Sequence, residues 1–417
     1  MQKRILNILL IIFLIILVGC NNYDNYHYGN HYITLEESNY IANFLSDYIS
    51  YFDEFPNQFY LYNQDKVISL GNILFVLLQK ESGINDQFII DRDFELIDKD
   101  VNIEAAYKMA LSGKIPKQIS GKELSLYFGS QKAYVPSDLN DKNRKIEIAF
   151  TFDIESGRYV HNFSGISPCE DDNYSFGLTV DELNCNLPEY MAWMTPRDDN
   201  LSYLDYPYPA VSGILGFKEI LDYSERYGLP MTNFIVKKDI LAFEALDKGV
   251  VDRARQLVDG GLFEVGSHTR YHTHLGLVDE DMARTELEQS RLFLEDYFNT
   301  SVVGFRAPYL SVLGDGDDHV KALKDAGYGY YSSYTDGSDM NKEWNMDKYV
   351  AYTSVDEFKK LMDTEEYIIT LDHPWNLVYD NGDILVENPD LKDNYRKILL
   401  MAISEGGIPI LLKDLET

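Results

Sequence analysis

Three of the eight histidines fall within seven residues, in the run Ser267-His268-Thr269-Arg270-Tyr271-His272-Thr273-His274. His268 and His272 are four apart, so a helical turn would carry both imidazoles on one face. With a carboxylate from elsewhere, such a pair binds a divalent cation and leaves positions open for water. A polar surface turn is the plainer reading, but histidine this clustered favours the cation. His274 lies off that face and reads as a bystander or a supporting group. A carboxylate pair stands at Thr151-Phe152-Asp153-Ile154-Glu155. On an extended chain, residues two apart point the same way, about 6–7 Å along it. That suits a base and a cation ligand facing one pocket, although an Asp-x-Glu alone is more often loop chemistry. Arg306, in Phe305-Arg306-Ala307-Pro308-Tyr309, could pair bidentately with a carboxylate. Pro308 fixes the backbone after it, so that an N–H there could point into a pocket. His373, in Leu371-Asp372-His373-Pro374-Trp375, titrates near neutrality and could serve as a general acid. A lone histidine is usually structural.

These groups need elements that bring them together. Apolar, β-rich runs at 146–152, 231–236, 263–268, 302–308, 328–334, 367–373 and 409–413 predict strands. Helical patterns lie between them at 213–227, 252–258, 281–298, 319–326 and 394–404, several closed by glycines such as Gly260-Gly261, Gly327 and Gly406-Gly407. Alternating β and α units imply an α/β fold with a parallel sheet or barrel. In such folds the chemistry sits at the C-terminal ends of the strands. All four candidate groups fall there.

Thr-Phe-Asp, Ser-His-Thr-x-x-His, Arg-x-Pro-Tyr and Leu-x-His, in this order, resemble the NodB-type polysaccharide deacetylases of carbohydrate esterase family 4. Leu229-Pro230-Met231-Thr232-Asn233-Phe234 and Phe263-Glu264-Val265-Gly266 are similar to that family's second and third strands. The resemblance covers about residues 145–417, and the His-Thr-x-x-His element is its most specific part. It implies a distorted (β/α) barrel of the polysaccharide deacetylase type. It also implies a metal-dependent hydrolase that removes N-acetyl groups from amino sugars of a cell-wall or extracellular polysaccharide. By the resemblance, Asp153 is the catalytic base and His268 and His272 bind the metal. Arg306 braces the base, the Tyr309 N–H holds the oxyanion, and His373 is the general acid. The cofactor implied is one divalent metal, zinc by default, with cobalt, nickel or manganese as alternatives.

Two departures from the family pattern matter. The family commonly reads Asp-Asp, its second Asp on the metal; here Ile154 follows Asp153, and Glu155 is the natural substitute ligand. Tyr331-Ser332-Ser333 stands where many members have Asp before Ser, so Asp336, Asp339 or Asp372 would have to tune the acid–base pair, or the tuning is lost. Two other functions stay open: an O-acetyl polysaccharide esterase, and a non-catalytic carbohydrate-binding protein on the same fold.

The N-terminus reads as an export device. Gln2-Lys3-Arg4 precedes an apolar run and then Leu17-Val18-Gly19-Cys20, an order that signals secretion. Leu-Val-Gly-Cys resembles the lipobox of prokaryotic lipoproteins, which would lipidate Cys20; an uncleaved membrane anchor is the alternative. Either places the rest on the extracellular face of the membrane, tethered through 21–32. Residues 33–125 predict a small helical module. Ile41, Phe44, Leu45, Tyr48, Ile49 and Phe52 follow helical spacing, Pro56 ends the helix, and a second helix follows Ser69. The order resembles a pseudomurein-binding repeat over 38–80, with a degenerate second copy later, which would dock the chain on a cell-wall polymer; a plain helical spacer is the other reading.

Residues 156–212 form a long insertion at the mouth of the expected pocket. It contains Trp193, Pro196, Tyr203, Tyr206, Pro207, Tyr208 and Pro209, and reads as a lid, a sugar-stacking wall or a surface loop. An oxidising exterior would permit a Cys169–Cys185 bridge there. Composition sets outer limits. The 417 residues carry 37 Lys+Arg against 68 Asp+Glu, a net charge of −31. That balance argues against nucleic acid as a partner. Three cysteines exclude a disulfide-dense scaffold and a four-cysteine zinc site.

Overall fold

The computed structural model describes residues 32–53, 56–69, 73, 76, 87–89, 146–155, 207–311, 313, 316–332, 341–342, 350, 353–378 and 389–415. The chain divides into two compact units. One comprises 1–145 with 225–228 and 399–408; the other comprises 146–224, 229–398 and 409–417.

The first unit contains strand β1 (Tyr32–Thr34) and helix α1 (Leu35–Phe52). A hairpin follows, β2 (Gln58–Leu61) with β3 (Lys66–Ser69), and β4 (Gln87–Ile89) pairs antiparallel with β1. The Thr34 hydroxyl accepts from the Glu37 N–H and the Glu37 carboxylate accepts from the Thr34 N–H. This reciprocal cap starts the helix six residues ahead of the apolar repeat. The helix stops at Phe52 because Asp53 turns left-handed (φ 55°), before Pro56 is reached. Phe44, Tyr48 and Phe59 form its aromatic core. The two strand pairs are additions to the helical module that spacing predicts: Phe59-Tyr60-Leu61 and Val67-Ile68 flank a turn and supply the short β runs. Helix after Ser69 is described only at Ile73 and Val76, both buried. The second repeat copy, the export segment with Cys20 and residues 21–31 of the expected tether lie outside the described residues, while the tether's last residue, Tyr32, starts β1. Among the described residues, no helix is long and apolar enough to cross a membrane.

The second unit is α/β, a distorted (β/α) barrel. Strands β5 (Ile146–Ala149) and β6 (Thr151–Ile154) are one extended segment interrupted at Phe150. Helix α2 (Pro207–Tyr227) leads to β7 (Met231–Ile235), then come α3 (Lys237–Leu246), α4 (Lys248–Asp259) and β8 (Phe263–Ser267). Helix α5 (Glu280–Phe298) precedes β9 (Gly304–Arg306), and α6 (Gly316–Asp325) precedes β10 (Tyr330–Ser332) and β11 (Asn341–Lys342). The chain closes with α7 (Val355–Thr364), β12 (Tyr367–Ile369), α8 (Pro389–Ser404) and β13 (Gly407–Ile410), the last part of α8 and the start of β13 falling in the 399–408 segment of the first unit. One six-stranded sheet runs β11-β10-β9-β8-β7-β6 with parallel pairs throughout, and a three-stranded sheet runs β12-β5-β13. Break and barrel distortion coincide. Before Phe150 the chain pairs with β12 and after it with β7, while a single bridge joins Phe152 to Asp372. Strands β6, β7 and β8 are buried at every position, as parallel strands covered on both faces must be.

Inside the barrel, Tyr330 fills the space that a side chain at Gly304 would take, since a Cβ there would lie 2.3 Å from its hydroxyl. That hydroxyl donates to Glu264, which also accepts from Thr232. Burial pushes the Glu264 carboxyl upward in pKa despite these donors.

Three differences from the sequence reading concern helices. Helix α2 begins at Pro207, inside the expected 156–212 insertion. Proline suits a first turn, whose N–H groups have no helical acceptor, so Pro207 and Pro209 belong to helix rather than loop. Helices α3 and α7 fall between the predicted elements. The remaining insertion residues, with Cys169, Cys185, Trp193 and Tyr203, lie outside the described residues.

A helix-to-loop approach bears on function. A Cβ at Gly216, on α2, would lie 1.6 Å from the Pro374 carbonyl oxygen. Pro374 sits between His373 and Trp375, so the backbone there could not yield without moving both. Gly216→Ala is expected to cost at least about 1–3 kcal/mol of stability by overpacking and to lower turnover in the folded fraction. Urea unfolding and a turnover assay check the two effects.

Candidate active site

The strand register sets the site. Asp153 pairs opposite Phe234, Phe234 opposite Gly266, and Arg306 opposite Ser332. Asp153, His268 and Arg306 therefore reach the C-terminal edge of one parallel sheet together. The Asp153 N–H donates to the Asp372 carbonyl (2.9 Å) and the Asp372 N–H to Thr151 (3.2 Å). This bridge delivers the His373 loop to the same edge.

Arg306 is completely buried. Its Nη1 donates to Asp153 Oδ1 at 2.7 Å, and its Nη2 donates to Thr151 Oγ1 (2.7 Å) and Ser332 Oγ (2.9 Å). The guanidinium carbon stands 4.2 Å from the Phe234 ring centroid. Asp153 is thus held by one oxygen. Its Oδ2 faces His268 Nε2 (3.8 Å) and His373 Nε2 (3.9 Å).

Glu155, His268 and His272 present ligand atoms all within 4.8 Å of one another. Glu155 Oε2 lies 2.6 Å from His272 Nε2, and its Oε1 lies 3.3 Å from His373 Nε2 and accepts from Trp375 Nε1 at 3.2 Å. Burial alone would raise the Glu155 carboxyl, but His272 and His373 outweigh it and hold the group well below the usual carboxylate range. Burial lowers His272, and the facing Glu155 reverses this, leaving it above its ordinary value. His268 is pushed down to about 4 by burial, so it is neutral at pH 7. Its Nδ1 lies 2.7 Å from the Arg306 carbonyl. With Nδ1–H donating there, Nε2 presents its lone pair to the cluster, the tautomer that a metal-ligating histidine needs. Donor types, convergence and tautomer fit a divalent cation. Ile154 is buried in β6, between the two carboxylates.

The two imidazoles do not converge through a helical turn. Thr269 (φ 67°) and His272 (φ 62°) are left-handed, and the segment is an irregular loop. The loop is held by Glu286 on α5, which accepts from the N–H groups of Arg270 (2.9 Å) and Tyr271 (3.3 Å), and by Thr273 N–H donating to Thr269 Oγ1 (3.0 Å). The ring centroids of His268 and His272 end 5.1 Å apart. Tyr309 is left-handed too (φ 58°), and its ring lies against His272 and stacks on His274. Buried His274, lowered to about 4 by burial, is therefore a neighbour of Tyr309 and not a member of the ligand cluster.

Of the aspartates expected to tune the acid, Asp372 is buried with its carboxylate accepting from Asn376 (3.1 Å), and Asp336 and Asp339 lie outside the described residues. Thr151, Ser332, Glu286 and Trp375 also contact the site residues, and their types and spacing in the sequence do not point to them. Ser332 alone has another signal, since it sits in the motif that departs from the family.

No curated protein sequence matches this chain. Among solved structures, the chain is similar to a Mycobacterium smegmatis protein described as a polysaccharide deacetylase (14% identity, 68% of this chain and 91% of that one, TM-score 0.42). It is also similar to a peptidoglycan N-acetylglucosamine deacetylase (15% identity, 65% and 87%, TM-score 0.34) and to a CE4 family pseudoenzyme from Bacillus anthracis (18% identity, 46% and 57%, TM-score 0.32). At these scores the likenesses are partial superpositions. The family described as polysaccharide deacetylase matches residues 215–331, which include His268, His272, Arg306 and Tyr309. Over that segment the chain is similar to the polysaccharide deacetylase family, in line with the resemblance that its motifs carry.

Proposed function

We propose that this chain is a metal-dependent hydrolase that removes N-acetyl groups from amino sugars of an extracellular or cell-wall polysaccharide. The observation that carries the reading is the cluster of Glu155, His268 and His272 beside an Asp153 held from behind by Arg306. A bound divalent cation, zinc by default, would supply a water of lowered pKa and polarise the acetamide carbonyl. Glu155, His268 and His272 would hold it.

The residues divide the remaining work. Arg306 fixes Asp153 Oδ1, which leaves Oδ2 to take the proton of the attacking water. Tyr309 offers its backbone N–H to the oxyanion. His373, whose Nε2 lies 3.9 Å from Asp153 Oδ2, gives a proton to the leaving amine, and acetate and a free amino sugar depart. Asp153 and His373 face the same space, as a base and an acid acting on one tetrahedral centre must. Export, with Cys20 lipidated or the apolar run as anchor, and docking through the first unit extend this proposal to the outer face of the membrane.

The test is metal analysis together with acetate release from chitooligosaccharides, peptidoglycan, pseudomurein and acetylxylan. Wild-type protein is expected to carry about one divalent ion per chain and to release acetate from an N-acetylated glycan. His268→Ala is expected to lose the ion and at least about 100-fold of the activity, since three protein ligands are the usual minimum for a catalytic site. Full activity in His268→Ala, or release from acetylxylan alone, would reject the reading.

A further inference from the structure

Trp375 touches both halves of the proposed machinery and belongs to neither. Its side chain is buried, with 3% of the residue exposed, so a sugar ring cannot stack on it. The indole Nε1–H donates to Glu155 Oε1 at 3.2 Å, and the indole stacks on His373 with centroids 4.7 Å apart and planes 24° apart. An indole N–H is a donor only, so this contact favours the carboxylate form of Glu155. Pro374, which starts the short 3-10 turn Pro374–Leu377, fixes the backbone between the two rings.

Ligand length gives this contact its purpose. Ile154 occupies the position next to Asp153, and the carboxylate comes from one residue further on, with an extra side-chain methylene. A glutamate there has one more torsion to fix, and its two oxygens already face different partners: His272 at Oε2, His373 and Trp375 at Oε1.

We infer that Trp375 is a positioning residue. It orients Glu155 toward the cation through its N–H and holds the His373 ring edge-on to the same cluster through stacking. The inference rests on the proposed cation site and adds a residue to it. Outer partners of ligating groups typically carry 10–100-fold of metal affinity.

The experiment compares the full-length wild type with Trp375→Phe, which keeps a stacking ring and removes the donor. Cation affinity is read by chelator competition with zinc, and folding by far-UV circular dichroism. The expected result is a 10–100-fold weaker zinc affinity for folded Trp375→Phe, with kcat lowered more than KM is raised. Equal zinc affinity in the two folded proteins overturns the role of Trp375 and leaves the cation site standing. A wild type that binds no zinc overturns both. Should Trp375→Phe not fold, Trp193→Phe/Trp344→Phe leaves Trp375 as the sole tryptophan of the three. Cobalt titration should then quench its emission to saturation at one ion per chain, and unquenched emission overturns the inference.

Discussion

Asp153→Asn is expected to lower acetate release by about 10²–10⁴-fold, the usual worth of a positioned general base, while leaving the cation in place. Asparagine keeps the shape of the side chain. Its amide oxygen can still accept from Arg306 Nη1, now 2.7 Å from Oδ1. What disappears is the basicity of Oδ2, the oxygen aimed at the shared space of His268 and His373. Parallel measurement of acetate release and metal content separates two roles. Activity lost with the ion retained makes Asp153 the base. Activity and ion lost together would make it a ligand, and undiminished release would remove it from the chemistry. The ligand outcome is disfavoured by position. Asp153 Oδ1 is engaged by a fully buried guanidinium, whereas the Glu155, His268 and His272 atoms converge without it.

Strand positions and the order of the chemistry are readable because each strand is a short apolar run with its reactive residue at or just past its C-terminal end. The observed strands are shorter than the runs: Gly304–Arg306 against 302–308, and Tyr330–Ser332 against 328–334. The apolar residues beyond the ladders bury themselves without pairing, as Val302 and Tyr328 do, and periodicity cannot separate the two cases. The i, i+4 spacing of His268 and His272 does not make a helical turn, for a different reason. Thr269 and His272 adopt positive φ with no glycine to announce it, and the turn is stabilised by Glu286, a residue that local sequence would place on an ordinary helix face. Helix α7 carries a legible signal, the Ser354-Val355-Asp356-Glu357 capping box, whose two reciprocal bonds form. Helix α3 had none, because Val236 offers no side-chain cap. The substitution of Glu155 for a neighbouring aspartate is explained by strand alternation. Ile154 faces the opposite side from Asp153 and is buried in the core, and the next residue on the functional side is Glu155.

Arg306→Met is expected to cost about 3–5 kcal/mol of stability, the penalty for stripping one partner from a buried ion pair. Against a typical total of about 5–15 kcal/mol, that threatens the fold itself. The reason is the number of groups served by one side chain. Arg306 satisfies Asp153, Thr151 and Ser332 from a fully buried position above Phe234, and its own carbonyl faces His268 Nδ1. A methionine fills the volume but leaves the Asp153 carboxylate, 4% exposed, without its cation. Arg306→Lys should fall between, because a single ammonium cannot reach Asp153 and the two hydroxyls in the fixed fork of a guanidinium. The decisive comparison is the double variant Arg306→Met/Asp153→Asn. If the cost of Arg306→Met comes from the orphaned charge, removing that charge should return part of the lost stability, so the double variant should unfold at higher urea than Arg306→Met alone. If the cost comes from packing, the second substitution should add to the loss. Urea unfolding of the four proteins distinguishes these outcomes. The first would mean that the charge pair is kept for the orientation of Asp153, since the fold can be held without it and the chemistry cannot.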